Sequence, residues 1–178
     1  MNIDPQTAVQ AVQDNILNLL DLVEQAARGD GDEDAATLGA EARKTALQLI
    51  AAIVLSDGKY TVGEQAFLQS LLDVSAKPGG EVAYLNEYAE AWKTSGMTIP
   101  RFFQAAVRHD ARHQTKLARA MLREIQLLGN NSSISDGKFG SVEHNLVHNY
   151  IFFLEEFLLA WRVPAQARSG PECGWLSI

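Results

Sequence analysis

Cysteine is nearly absent. The chain has one, Cys173, so an intramolecular disulfide and a cysteine-rich zinc cage are both excluded. Basic residues are outnumbered, 15 Lys and Arg against 22 Asp and Glu, for a formal net charge of −7. A nucleic-acid surface needs a basic face to displace phosphate counterions, so no nucleic-acid partner is expected. Apolar runs long enough to span a bilayer, about 18 residues, are missing. The N-terminal MNIDPQTAVQAVQDN has no basic leader followed by an apolar core, and a cytoplasmic protein is the expectation. Glycine-rich phosphate loops, dinucleotide fingerprints and nucleophile elbows do not occur, which leaves catalysis without an evident candidate.

What the chain does have is helical periodicity. Its 178 residues are 47% hydrophobic and 21% charged, enough for one domain with a real core. Val9, Val12, Ile16, Leu19, Leu20 and Val23 recur at helical spacing after Asp4-Pro5, and this helix should stop near Gly29. A second helix is expected from about 35 to 56, apolar nearly all round over Ala46–Leu55, hence central. Thr61 and Glu64 form a capping box for a third. Lys77-Pro78-Gly79-Gly80 is a turn, and a fourth helix carries Val82, Leu85, Tyr88 and Trp92. Thr98 is placed to cap a fifth, with Pro100 in its first turn. A sixth runs through Leu117, Met121, Ile125 and Leu128 and meets a break at Gly129-Asn130-Asn131-Ser132-Ser133. The seventh spans about 140–162. β-branched residues do not cluster between turns, so the fold class is all-α: a single bundle of about seven helices. The expected division is an N-terminal helix and acidic loop over 1–34, a helical domain over 35–163 and a loosely packed tail over 164–178.

One unit is repeated. LSDGKYTVGEQAFL at 55–68 returns as ISDGKFGSVEHNLV at 134–147, a constant offset of 136 − 57 = 79. Gly58 and Gly137 can close the preceding helices in the left-handed conformation, and Glu64 and Glu143 can bond back to orphan amides. Asp57 and Asp136 are less easily explained, because a carboxylate at a helix C-terminus opposes the macrodipole by about 0.3–1 kcal/mol. Lys59 and Lys138, the next helix N-terminus or a bound cation are the candidate compensations. With Val142 at zero, Glu143 projects at about 100°, among Leu146, Tyr150, Phe153, Leu154 and Phe157 at about 20–120°. An inward carboxylate needs a donor or a metal. The spacing also equals the second half of an EF-hand loop, yet Ile53, Leu55, Ser132 and Ile134 stand where its first ligands belong. If the halves pack about a pseudo-twofold, Asp57, Glu64, Asp136 and Glu143 converge as four carboxylates suited to calcium, magnesium or manganese rather than zinc.

The doubled Ser-Asp-Gly-Lys-aromatic unit, each copy after an apolar helix and before a glutamate, resembles the tellurite-resistance TerB family and its TerB-like relatives over roughly residues 35–160. The resemblance implies an internally duplicated bundle of seven to eight helices. It also implies a non-catalytic role in stress-response, defence or membrane-linked assemblies with protein partners, and metal-ligand roles for Asp57, Glu64, Asp136 and Glu143. The chain departs from the family pattern in its extra N-terminal helix, its 79-residue offset and Gly140 in place of a second capping threonine.

Other constellations compete for attention. His109/His113 and His144/His148 are pairs at helical i, i+4 spacing, which would serve a metalloenzyme if they faced one another. His144 and His148 nevertheless project at about 200° and 240°, on the polar side. His109-Asp110 lacks the upstream histidine of a metal phosphohydrolase, and His144-x-x-x-His148 lacks the zincin glutamate. Asp30, Asp32, Asp34 and Glu41 fall at EF-hand positions, but Ala35 and Thr37 replace the required glycine and apolar anchor, so a solvated loop is expected. In the last helix Phe152 and Leu159, at about 280° and 260°, lie outside the apolar face. Either another helix covers them or they form a partner or self-association surface. A purely structural adaptor, with motifs that only shape helix corners, is the remaining alternative.

Overall fold

The apolar periodicity is realised as helix throughout. The computed structural model describes residues 5–30, 34–56, 61–72, 80–95, 98–133 and 141–162. Among these residues there are seven α-helices and no strand: α1 (Pro5–Asp30), α2 (Ala35–Val54), α3 (Val62–Leu72), α4 (Gly80–Ser95), α5 (Arg101–His113), α6 (Leu117–Ser132) and α7 (Ser141–Arg162). No helix is long and apolar enough to cross a membrane among the described residues.

α2 is the centre, as its all-round apolar second half requires. Leu49, Ile50, Ala51, Ala52, Ile53 and Val54 are all buried, and α2 touches α1, α4, α5, α6 and α7. α1 lies across α2, α3, α5 and α6 and sends Val12, Leu19 and Val23 into the same core as Phe67, Phe102, Phe103, Met121 and Leu154. The repeated stretches occupy equivalent junctions, α2 to α3 and α6 to α7. Their packing differs, since α3 leans on α1 whereas α7 leans on α6.

Two expected helix ends are corrected. Gly129 does not stop α6, which continues to Ser132. A Cβ on Gly129 would come within 2.7 Å of Val147 Cγ1, so this glycine serves a close approach of α6 to α7. Ser132 and Ser133 donate their hydroxyls back to the carbonyls of Leu128 and Gly129 at 2.8 and 2.9 Å, which keeps these hydroxyls satisfied in the core. Thr98 does not cap α5 either. Proline disfavours helical conformation in the residue before it, which keeps Ile99 out of the helix, and Pro100 itself is extended, occupying the N-cap with φ −62° and ψ 146° and offering no side-chain acceptor.

Candidate functional site

The acidic side chains were the strongest chemical signal, and four of the described ones, Asp34, Glu41, Glu64 and Asp110, hold helix ends. Asp34 caps α2 by accepting the Ala36 and Thr37 amides at 3.3 and 3.1 Å and the Thr37 hydroxyl at 2.9 Å. The Thr37 hydroxyl bond, then the two amides, holds its carboxyl below the usual carboxylate range. Glu41, seven residues on, reaches across to α5: Oε1 accepts Arg101 N–H at 3.1 Å and Oε2 accepts Phe102 N–H at 3.2 Å. That supplies the acceptor Pro100 lacks, and places negative charge at the positive end of a helix. The acidic loop pattern over 30–41 therefore has structural work at Asp34 and Glu41.

Asp110 plays the same part between α5 and α6. The chain turns through Gln114 in the left-handed conformation, φ 55°, and the Gln114 amide closes on Asp110 O at 2.9 Å. Asp110 Oδ1 accepts Leu117 N–H at 2.7 Å, Oδ2 accepts Ala118 N–H at 3.1 Å, and Thr115 Oγ1 donates to Oδ1. His109 Nδ1 lies 2.9 Å from the same Thr115 hydroxyl. The His109-Asp110 pair is thus committed to a turn.

The repeated unit is described in part. Glu64 is buried and completes the expected capping box. Its Oε2 accepts the Thr61 amide at 2.7 Å and the Thr61 hydroxyl at 2.8 Å, while its own amide donates to Thr61 Oγ1 at 3.2 Å. Glu143, in the first turn of α7, is also buried at 7% exposure, as its angular position among apolar residues required. The two glutamates stand on helices that pack differently, α3 on α1 and α7 on α6. Asp57 and Asp136, with Gly58, Lys59, Tyr60, Gly137, Lys138, Phe139 and Gly140, lie outside the described residues. Among the described residues no group of three or more His, Cys, Asp and Glu is arranged to hold a metal ion.

The histidine pairs sit apart on α5 and α7, with ring centroids 4.5 Å apart for His109 and His113 and 6.1 Å for His144 and His148. The latter pair is exposed, on the polar side that the helical angles indicate.

A polar network absent from the sequence expectations joins α1 to α6. Asn15, buried on the apolar face of α1, donates to Glu124 Oε2 at 2.9 Å and accepts from Asn131 Nδ2 at 2.9 Å. Asn18 adds a longer bond to the same Glu124 oxygen at 3.3 Å. The available signal was an asparagine among Val12, Ile16 and Leu19, where a buried amide must find partners.

Two of the concavities among the described residues bear on these side chains. A cleft of about 230 Å³ is bordered by Glu41, Lys44, Gln48, Trp92, Thr98 and Tyr150. Trp92 meets Tyr150 edge to face at 4.7 Å, and burial, followed by the nearby Glu41 charge, pushes the Tyr150 phenol above its ordinary range. A larger groove of about 410 Å³ lies between α6 and α7, with Arg119, Leu122 and Arg123 on one side and Glu155, Leu158 and Leu159 on the other. Beside it Phe152 and Leu159 are 55% and 54% exposed, so no described helix covers that stripe. Comparisons with protein-family models, curated proteins and solved structures find no match.

Proposed function

We propose that this protein is a non-enzymatic, TerB-like interaction module of a cytoplasmic stress-response or defence assembly, contacting its protein partner through the outer face of α7. The exposure of Phe152 and Leu159 beside the α6–α7 groove carries the reading, because large apolar side chains grouped at a groove mark contact surfaces. The assignment of Glu41, Glu64 and Asp110 to helix ends supports the non-catalytic part. Full-length tagged protein isolated from its native host should carry a defined set of proteins that Phe152→Glu with Leu159→Glu loses at unchanged thermal stability. An identical set on both forms, or none on either, sinks the reading.

The same proposal assigns a divalent cation to the repeated corners, through Asp57, Glu64, Asp136 and Glu143. Its support is the duplicated sequence unit. Calorimetric titration with calcium, magnesium and manganese should show binding by the wild type and none after Asp57→Ala with Asp136→Ala. Equal heats from both proteins remove the cation from the proposal.

A further inference from the structure

We infer that the α6–α7 face is a self-association surface, on which two copies of this chain dock about a twofold axis. The inference rests on the reading of the α7 face as a contact surface and names the occupant. In a twofold interface one patch meets itself, so it must carry both members of every complementary pair. This patch does. Phe152 and Leu159, seven residues apart and so on one stripe of α7, project into solvent, while the buried Leu122 and Leu158 floor the adjoining groove. Knob and hole are thus on the same surface.

The charges show the same duality. Arg119 and Arg123 stand one turn apart on the α6 rim, and Glu155 stands on the α7 rim, with exposed Glu156 beside it. The Arg28–Glu24 and Lys93–Glu90 ion pairs lie elsewhere on the molecule. Two arginines concentrated on one rim of a chain with net charge −7 offer an attractive contact between molecules that otherwise repel. The α6 rim of one copy against the α7 rim of the other pairs these charges twice, while each copy's apolar stripe enters the other's groove.

Sedimentation of the purified full-length protein over a concentration series tests this. The expected result is a monomer–dimer equilibrium, with the dissociation constant raised roughly tenfold or more by Phe152→Glu with Leu159→Glu. A charge-reversal mixture tests the pairing of rims. Arg119→Glu with Arg123→Glu makes both rims acidic, and Glu155→Arg with Glu156→Arg makes both basic. Each form alone should be weakened, and the two mixed should associate again. A monomer at every concentration overturns the inference, as does a dimer indifferent to the α7 substitutions or a mixture that fails to recover. Cross-linking from position 159 only into the same chain's residues beyond Arg162 also overturns it. A monomer that still captures host proteins through Phe152 and Leu159 leaves the interaction module standing and removes only the second copy.

Discussion

Glu41 of α2 holds the Phe102 amide of α5 at 3.2 Å, and its other oxygen holds the Arg101 amide at 3.1 Å. A carboxylate from one helix thereby starts another 60 residues later in the chain. Charged hydrogen bonds to backbone are worth about 1.5–3 kcal/mol each when a partner is removed, less where water can replace it. Glu41→Ala should therefore lower unfolding free energy by about 1–2 kcal/mol in urea titrations, with α5 amides exchanging faster. Glu41→Gln, which keeps one acceptor oxygen, should fall between.

Tyr150 ties the same carboxylate to pH. Its phenol is pushed upward, first by burial and second by Glu41, so the folded state keeps a proton that the unfolded state releases above about pH 10. Stability is unaffected below that pH and declines above it, by up to about 1.4 kcal/mol per pH unit. Ultraviolet titration should show one of the four tyrosines ionising only with unfolding, a component lost in Tyr150→Phe.

Asn15 should matter far more than its neighbour Asn18. Asn15 is buried and satisfies both Glu124 and Asn131, so Asn15→Ala strands polar groups between α1 and α6 and should cost about 1–3 kcal/mol. Asn18→Ala removes one long, exposed bond and should stay within about 0.5 kcal/mol of wild type. Thermal or chemical melts of the two variants decide this; equal effects contradict the network's importance.

Gly129→Ala reverses the usual helix preference. An alanine in a helix interior normally gains up to about 1 kcal/mol over glycine. Here its Cβ meets both Val147 methyl positions, at 2.7 and 2.8 Å. A buried, β-branched valine in a helix has one strongly preferred rotamer and little room to yield, and overpacking of this kind costs about 1–3 kcal/mol. The single substitution should destabilise, and adding Val147→Ala should recover most of the loss.

The residues that were readable from sequence share a property: their partners are close along the chain. Thr61 and Glu64 meet across three residues. Glu143 is buried and His144 and His148 are exposed because a helix of known period assigns each side chain a direction, and the same period sets Phe152 and Leu159 outside the apolar face. Glu41 and Asn15 were not readable in the same way, with partners up to 116 residues distant. Gly129 was misread for a related reason. A glycine followed by two asparagines and two serines has the composition of a helix end, and only α7 lying close by makes it a contact point.

Composition and periodicity by themselves determined the helical class, the number of segments, the capping box at Thr61 and the two-faced character of α7, because helix formation answers to neighbours within about one turn. Tertiary structure alone decided that Glu41 would hold the start of α5, where α5 and α6 begin and stop, and that nothing described would cover Phe152 and Leu159. Those outcomes depend on which surfaces meet in space, and hydrogen bonding and close packing between distant segments take effect only once the bundle has assembled.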